Sequence, residues 1–441
     1  MTLIRRDLKQ LLAAIGEQES FEAVKPGWDE SMRTLPETTP LFLDRGHFRT
    51  SREWCGLDAS IEPLLDAAST RIMEDGNLFC LAWHCRRILF DYGQNASFSK
   101  WPTLEKVMGT DLCGIFYMLV ALDIVPLIRP IHAAWGIPES ITRDTCLQVR
   151  SFCHTYQLFN GGHSGTPCPH LAWLRNYVNG DKYFRLGRLE LRLRPHESDL
   201  TVFRRHGTND TVALRRTMPF VIREDLFDPA RGKEELRAVP VPSLSLDELM
   251  ADTSYEGYPI SPFGYGFKQK VILSPDEWRP VFAPGDTMMD MHIPAGGGMT
   301  PEACRDSIHR SMDFFRRYFP DEPAAAYRCN SWIFNPQLEF LLPAESNLVR
   351  FMRELYLFPL SSRGDEGVET IFSRRVFDLK TAPRKTTLQR AVAEHLEQGN
   401  LLRNGGMFFL TEDISHYGTQ FYRRTWNPRQ WRGIRVLPES S

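Results

Sequence analysis

Residues 285–319 read GDTMMDMHIPAGGGMTPEACRDSIHRSMDFFRRYF and carry the strongest structural signals of the chain. Apolar and polar side chains alternate over residues 287–293, which predicts a β-strand. Pro294 and three successive glycines then interrupt that pattern. Thr300 followed by Pro301 is a typical helix start. Apolar side chains recur at helical spacing up to Pro320, so the segment predicts a strand, a glycine loop and a helix packed on a sheet.

Two kinds of sequence flank this segment. Residues 1–180 show apolar side chains at helical spacing, broken by Pro and Gly, and they predict a helical domain. The most apolar stretch, residues 112–128, contains Asp123 and Pro126 and is short for a bilayer span, which favours a buried core helix. From residue 181 to 441 short alternating segments dominate, so we predict an α+β chain with a mixed sheet flanked by helices in its second part.

The predicted elements of the second part follow from alternation and from Pro and Gly punctuation. Residues 184–194 alternate without interruption and predict one half-buried strand with Leu189, Leu191 and Leu193 on its apolar face. The segment 228–262 is rich in Pro, Ser and charge and predicts a linker or excursion. Further strands are predicted at residues 201–205, 212–216, 267–273, 325–334 and 407–410, and helices at 347–357 and 387–398.

Composition excludes several classes of protein. The chain has 441 residues, 42% of them hydrophobic and 24% charged, which is typical of a globular protein and not of a disordered or fibrous one. Because 53 basic residues face 55 acidic ones, the chain has no bulk affinity for nucleic acid or for an acidic membrane. The charged N-terminus lacks the apolar core of a signal peptide, so we expect a cytoplasmic protein. No Cys or His spacing is typical of a metal site, and we expect none.

The glycine loop between the predicted strand and helix has the chemistry of an anion site. Glycines let a ligand approach the backbone closely, and the N–H groups and dipole of a helix N-terminus favour a phosphate. The sequence PAGGGMTPE fits neither the dinucleotide-binding pattern GxGxxG nor the ATP-binding pattern GxxxxGK[ST]. A plain tight turn is the alternative interpretation of the same residues.

Several motifs resemble one family. D-x-H-I-P-A-G-G at 290–297, followed by C-x-x-S-I-x-x-S-M-x-F-F-x-R-Y-F-P at 304–320, is similar to bacterial acyltransferases that join an N-terminal helical domain to a GNAT-like C-terminal domain. The segments FRLGRL at 184–189, YEGYPI at 255–260, CNSWI at 329–333 and LQRA at 388–391 also resemble this family. The resemblance spans roughly 170–410, and more loosely the helical part before it.

The resemblance implies an acyl-CoA donor and a GNAT-like fold. The strand at 287–293 would lie beside the pantetheine arm, and the strand at 325–334 would form the other lip of the wedge that holds the thioester. The residues implied to bind acyl-CoA are Met291, Ile293, Ala295, Gly296, Gly297, Gly298, Met299 and Thr300. The loop departs from the family pattern Q/R-x-x-G-x-G/A, because the glycines have no basic residue before them.

Transfer to an ammonium group requires a base that removes its proton. His292 is the first candidate, since imidazole has an intrinsic pKa of about 6.5 and this residue precedes the loop directly. Asp290 lies on the same strand face and is a candidate to orient it, although a histidine here would also serve simply to cap the loop. Glu190 is the competing base, but a carboxylate among arginines is more simply an ion-paired surface residue with a lowered pKa.

Tyr327 is the candidate to protonate the leaving thiolate, and its alternative role is a cross-strand aromatic contact. Cys329 on the same strand is a candidate nucleophile for a ping-pong route, against the more usual inert buried thiol. Residues 182–216 hold nine Lys or Arg and four Asp or Glu, a local charge of +5. That excess suits a phosphate of CoA, a carboxylate on the acceptor, or merely a solvated strand face.

The sequence thus predicts an acyltransferase that moves an acyl group from acyl-CoA to a small amine or hydroxyl acceptor by direct attack in a ternary complex. Two other functions remain open. A non-catalytic acyl-CoA-binding protein would bind CoA without transfer, and an interaction module on the same scaffold would not bind CoA at all. One fold hosts many functions, so the resemblance alone does not separate them.

Overall fold

The helical first part of the chain ends where the strands begin. A computed structural model describes residues 6–92, 97–216, 255–267, 270–374, 377–426 and 435–436. It divides the chain into one unit of Met1–Leu186 with Ile293–Gly297 and a second of Gly187–His292 with Gly298–Ser441. Of the predicted excursion at 228–262, residues up to 254 lie outside the described part.

Eleven α-helices and one strand make up the described residues of the first unit. Aspartates cap several of these helices; Asp44 and Asp75, for example, each accept hydrogen bonds from backbone N–H groups in the first turn of the helix that follows. The helices are α1 (Leu8–Ala14), α2 (Phe21–Val24), α3 (Trp28–Arg33), α4 (Arg45–Trp54), α5 (Glu62–Glu74), α6 (Gly76–Phe90), α7 (Glu105–Leu122), α8 (Ile124–Ala134), α9 (Glu139–Cys146), α10 (Gln148–Phe159) and α11 (Arg175–Val178). The strand β1 (Tyr183–Leu186) follows them.

Helix α7 forms the centre of this unit. All residues from Cys113 to Leu122 are buried. The predicted core helix is confirmed, although it is two helices that meet at Asp123, whose buried carboxylate accepts a 2.8 Å hydrogen bond from Arg86 Nε. In the described part of the chain, Glu105–Ala134 is one stretch long and apolar enough to cross a membrane, and 78% of its most apolar window is buried inside the structure.

The second unit contains two sheets. Its strands are β2 (Leu189–Pro195), β3 (Leu200–Arg205), β4 (Thr211–Arg215), β5 (Tyr255–Ser261), β6 (Tyr265–Gly266), β7 (Val271–Leu273), β8 (Trp278–Phe282), β9 (Thr287–His292), β10 (Ala326–Ser331), β11 (Tyr356–Pro359), β12 (Gly405–Leu410) and β13 (Arg435–Val436). One sheet has the order β2-β9-β10-β12-β11 within this unit, and the other has the order β13-β7-β5-β4-β3-β8 with β6 beside β5. The α+β fold predicted from the sequence is confirmed.

Helices of the second unit flank these sheets. They are α12 (Pro301–Tyr318), α13 (Leu338–Leu341), α14 (Asn347–Arg353), α15 (Val368–Phe372), α16 (Thr387–Glu397) and α17 (Phe421–Thr425). Helix α12 starts at Pro301, as predicted. The Thr300 side chain caps the helix by accepting a hydrogen bond from Ala303 N. A capping box between Thr386 and Gln389 begins α16.

Three sequence-based boundaries were wrong. The predicted strand at 184–194 is two strands, because Gly187 takes a left-handed φ of 78° that turns the chain between β1 and β2. The predicted strand at 325–334 stops at Ser331 and continues as a 3₁₀ turn. The predicted helix at 347–357 ends at Arg353, and its last residues belong to β11. For the strand predicted at 267–273, residues 268–269 lie outside the described part and β7 covers only its end.

Three buried histidines make the fold sensitive to acid. Burial lowers the pKa of His84, His132 and His196 to about 4 in each case. Between pH 6.5 and 4 the unfolded chain therefore binds more protons than the folded one, and stability is lost as the pH falls through this window. We expect the free energy of unfolding to drop by several kcal/mol between pH 7 and 5, roughly 1 to 2 kcal/mol per histidine.

Urea unfolding at pH 7, 6 and 5 measures this loss. His132→Gln is expected to reduce the slope of the free energy of unfolding against pH, because it removes one of the buried imidazoles. His206→Gln is the matched control, since His206 is exposed and should leave the slope unchanged. Equal unfolding midpoints at pH 7 and 5 would contradict the prediction.

Candidate functional site

The parallel strands β9 and β10 separate at their carboxyl ends. They pair at three positions, Ala326 with Met288, Tyr327 with Met289 and Arg328 with Asp290. Beyond these positions β9 continues along β2 as far as His292, and β10 continues along β12 as far as Ser331. Each strand thus keeps its outer neighbour while the ladder between β9 and β10 stops, which leaves a wedge that opens at the carboxyl ends of these two strands.

The loop after β9 leads into the exposed N-terminus of α12. Gly296 and Gly297 have left-handed φ angles of 83° and 75°, which L side chains rarely adopt, so the backbone itself requires glycine at both positions. Gly298 has no such φ, and a Cβ added there would meet only Thr300 Cγ2 at 3.8 Å. Space beside the backbone at Gly298 is therefore open, as a site for a bulky anion requires.

A distant arginine supplies a positive charge at this loop. Arg188, in the turn between β1 and β2, donates a 3.1 Å hydrogen bond from Nε to the carbonyl oxygen of Gly298. Leu189 N donates to Ser307 Oγ at 2.9 Å, which ties the start of β2 to α12. The loop sequence lacks a basic residue, and the fold brings one to it from 110 residues away. Sequence reasoning missed this contact because no local signal links the two segments.

The three carboxylate and imidazole candidates share one face of the sheet. Glu190 lies directly opposite His292 in the antiparallel register of β2 and β9, and Arg192 lies opposite Asp290. Opposed residues of such a pair have Cβ atoms roughly 5 Å apart and point to the same side. Glu190 is fully buried, so its interpretation as a surface residue was wrong. The reason is that both faces of β2 are covered from Leu189 to Leu191.

Asp290 is engaged by arginines of the neighbouring strand. Its carboxylate accepts a 2.9 Å hydrogen bond from Arg192 Nε and lies 3.6 Å from Arg194 Nη1. These ion pairs hold Asp290 toward β2 at the position before His292 on this face. Register places the Glu190 carboxylate, rather than Asp290, directly across from the imidazole.

Tyr327 and Cys329 lie on the opposite face of the sheet, where both are buried and Tyr327 contacts α12. The Tyr327 hydroxyl donates to the Ile308 carbonyl oxygen at 2.9 Å and lies 2.8 Å from Ser311 Oγ. Burial raises the pKa of Tyr327 and of Cys329 well above their usual values. The structure therefore does not bring Tyr327 together with His292, and it gives the Cys329 thiol the environment of an inert core residue.

A polar cavity of about 420 Å³ lies elsewhere in the second unit. It contains none of the residues predicted to form the site. Its lining is Arg204, Arg205, His206, Gly207, Thr208, Asn209, Arg279, Glu412, Asp413 and His416. Within the described ranges, no group of three or more His, Cys, Asp or Glu side chains is placed to hold a metal ion.

Comparison with known proteins gives a family and a fold. A family model described as a GNAT-like C-terminal domain matches residues 183–409. A solved acyltransferase in complex with decanoyl-CoA and teicoplanin is similar to the chain with a TM-score of 0.61 and 21% identity, over 92% of this chain and 99% of that one. An acyltransferase mutant bound to octanoyl-CoA and an acyltransferase bound to CoA and 10C-teicoplanin each match with a TM-score of 0.60, the same 21% identity and the same coverage. None of the curated proteins compared with the chain matches it.

Proposed function

Because the chain belongs to the family defined by the GNAT-like C-terminal domain, we propose that it is a cytoplasmic acyltransferase that uses acyl-CoA. The observation that carries this proposal is the separation of β9 and β10 in a unit that also presents the partly exposed N-terminus of α12. A wedge between parallel strands accepts a narrow chain such as the pantetheine arm of CoA. The helix N-terminus suits the pyrophosphate of CoA. The similar solved acyltransferases hold octanoyl-CoA, decanoyl-CoA or CoA, which supports an acyl-CoA donor.

The residues around the loop fit a pyrophosphate. The N–H groups at the start of α12 carry the positive end of the helix dipole, and Arg188 adds a full positive charge beside Gly298. In the second unit we assign donor binding to Gly298, Met299 and Thr300, at the start of α12. For Ile293, Ala295, Gly296 and Gly297, which belong to the first unit, donor binding stays a prediction from the sequence. Met291, buried on β9, supports the strand that precedes them.

The proposed acceptor is a small amine, whose nitrogen attacks the thioester carbonyl carbon of acyl-CoA directly. The C–N bond forms, the C–S bond breaks and CoA leaves as its thiol, with no covalent enzyme intermediate. His292 accepts the proton of the attacking amine, and the buried Glu190 opposite it orients the imidazole and stabilises its protonated form. Asp290 lies on the same face of the sheet and is paired with Arg192. The raised pKa of the Cys329 thiol argues against a ping-pong route, because the thiolate is the nucleophilic form.

Thermal unfolding with CoA and a series of acyl-CoA thioesters tests the proposal. A ligand at about 100 times its Kd stabilises the fold by roughly 2.7 kcal/mol, which gives a clear rise in Tm. Thiol release from the stabilising thioester in the presence of amines then tests turnover. Stabilisation without thiol release would favour a non-catalytic acyl-CoA-binding protein. A flat Tm across the series would refute acyl-CoA binding and favour an interaction module.

Gly298→Ala should weaken donor binding without disturbing the fold. The backbone at Gly298 accepts an L side chain and the added Cβ meets no close neighbour, so Tm stays within about 1 °C. A Cβ beside the helix N-terminus keeps the pyrophosphate away from the backbone, and we expect a roughly 10-fold higher Kd for CoA, the loss of about one hydrogen bond. Gly46→Ala in α4 is the matched control and leaves Kd unchanged. An unchanged Kd in Gly298→Ala would remove this position from the site.

A further inference from the structure

Arg328 lies on the polar face of the sheet and has no role in the reaction proposed above. It lies on β10 opposite Asp290, at the last position where β9 and β10 still pair. Strand alternation puts it on the side of the sheet that carries His292 and Glu190, away from Tyr327 and Cys329. The position is therefore at the mouth of the wedge.

No carboxylate of the described residues forms an ion pair or a hydrogen bond with the guanidinium of Arg328, although Asp290 is close enough to act on it electrostatically. In the part of the chain that the structure describes, its Nε is buried and makes no hydrogen bond, and its recorded contact is with the Phe358 ring, 5.4 Å from the ring centroid. The carboxylates of Asp290 and Asp199 are paired with other arginines. Asp290 accepts from Arg192, and Asp199 accepts hydrogen bonds of 2.6 and 2.9 Å from Arg215.

Like charges surround Arg328 as well. Burial, followed by the charges of Arg215 and Arg194, lowers the pKa of Arg328 to about 10, and Asp290 only partly offsets them. Among the described residues Arg192 pairs with Asp290, Arg194 with Glu197 and Arg215 with Asp199, whereas Arg328 forms no ion pair within 4 Å. A partly buried cation among like charges is costly to fold, and such an arrangement is typical of a site that receives an anion.

The distance along the strand relates this anion to the proposed reaction. His292 lies two residues beyond Asp290, the register partner of Arg328, and two residues of a strand span about 7 Å. An acceptor whose anionic group lies at Arg328 therefore presents a nucleophile a few bonds away to the imidazole. A carboxylate fits the planar fork of a guanidinium in two parallel hydrogen bonds.

We propose that Arg328, supported by Arg194 and Arg215, binds a carboxylate of the acceptor, so that the acceptor is an amino acid or another carboxylate-bearing amine. This inference rests on the proposed acyltransferase function. It predicts that the protein discriminates between amines that differ only in carrying a carboxylate or a carboxamide, and that Arg328 is the source of the discrimination.

The test compares the wild type with Arg328→Gln on matched pairs of acceptors, each an amino acid and its carboxamide. The readout is thiol release from the acyl-CoA that raises the Tm of the wild type. Loss of a charge-assisted pair should lower kcat/KM for the carboxylates roughly 10- to 100-fold, while the carboxamides change less than about 3-fold. Arg350→Gln, at an exposed arginine of α14, is the control and alters neither. An equal effect of Arg328→Gln on both members of each pair would overturn the proposal.

A binding measurement keeps the test decisive if none of these amines is a substrate. Millimolar benzoate should raise the Tm of the wild type, whereas benzamide should not, and Arg328→Gln should abolish the benzoate effect. Without any anion the variant should be at least as stable as the wild type, because it removes a buried like charge. No benzoate effect on the wild type would overturn the proposal even if acyl-CoA raises its Tm, whereas a flat response to acyl-CoA would instead refute the underlying function.

A phosphate of CoA is the other anion that the Arg328 guanidinium suits. If Arg328→Gln weakens CoA much more than dephospho-CoA, the guanidinium binds the 3′-phosphate and the acceptor-carboxylate proposal is wrong. Equal Kd values of the wild type and the variant for both compounds are expected.

Discussion

His292→Ala is expected to lower the rate of acyl transfer roughly 100- to 10,000-fold, the usual effect of removing a positioned general base. The reason is that an ammonium group cannot attack a thioester until its proton is removed. His292 lies at the end of β9, where the strands have separated, with the buried Glu190 directly across in register. Affinity for CoA should stay within about 2-fold, because the imidazole acts on the acceptor.

His309→Ala is the matched control for this variant, since His309 is exposed on α12 and should leave the rate unchanged. Glu190→Gln tests whether the Glu190 carboxylate orients the imidazole or is itself the base. If Glu190 orients the imidazole, the variant keeps part of the activity and shifts the pH–rate profile of kcat/KM. If His292→Ala stays active while Glu190→Gln is inactive, the assignment is reversed and Glu190 is the base.

Asp413→Ala is expected to destabilise the second unit by roughly 3 to 5 kcal/mol, the cost of leaving one partner of a buried ion pair behind. Arg204 donates two hydrogen bonds to this carboxylate, at 3.0 and 2.6 Å, and both side chains are almost fully buried. Tyr422 donates a further one at 2.9 Å and itself accepts from Leu410 N at the end of β12. A fall in Tm of roughly 10 °C follows from a loss of this size.

The control is Asp365→Ala, because Asp365 pairs with Arg363 at 3.4 Å while both side chains are largely exposed. An exposed pair contributes about 0 to 1 kcal/mol, so Tm should hardly change. The double replacement Arg204→Met with Asp413→Leu should recover much of the loss, since it removes both charges together. Asp413→Ala with a wild-type Tm would show that the buried pair contributes little to stability.

Local chemistry in the sequence predicted the elements that define the site. The alternation of residues 287–293, the break at the glycines, the Thr300 cap and Pro301 all act within a few residues, and each was found where expected. The family resemblance drawn from the same residues is confirmed by the match over residues 183–409. Alternation also placed Asp290 and His292 together on one face, because side chains of a strand repeat every two residues.

Boundaries were less certain where two signals competed. Residues 184–194 alternate throughout, yet Gly187 turns the chain, because a glycine inside an alternating pattern fits either a strand or a hairpin turn. Residues 356–357 fit the predicted continuation of the preceding helix, but they enter the sheet beside β12. Pairing with the distant strand β12 decided the second outcome, and a single local pattern does not contain that pairing.

The sequence by itself determined the strand, loop and helix of residues 287–318, since propensity, capping and alternation depend on neighbours in the chain. Only the tertiary structure decided which side chains meet. It set Glu190 across from His292, drew Asp290 to Arg192, turned Tyr327 toward α12 and left Arg328 among like charges. Strand register and sheet order join residues some hundred positions apart. These contacts form because the whole sheet buries its apolar area together, and no local segment records that energy.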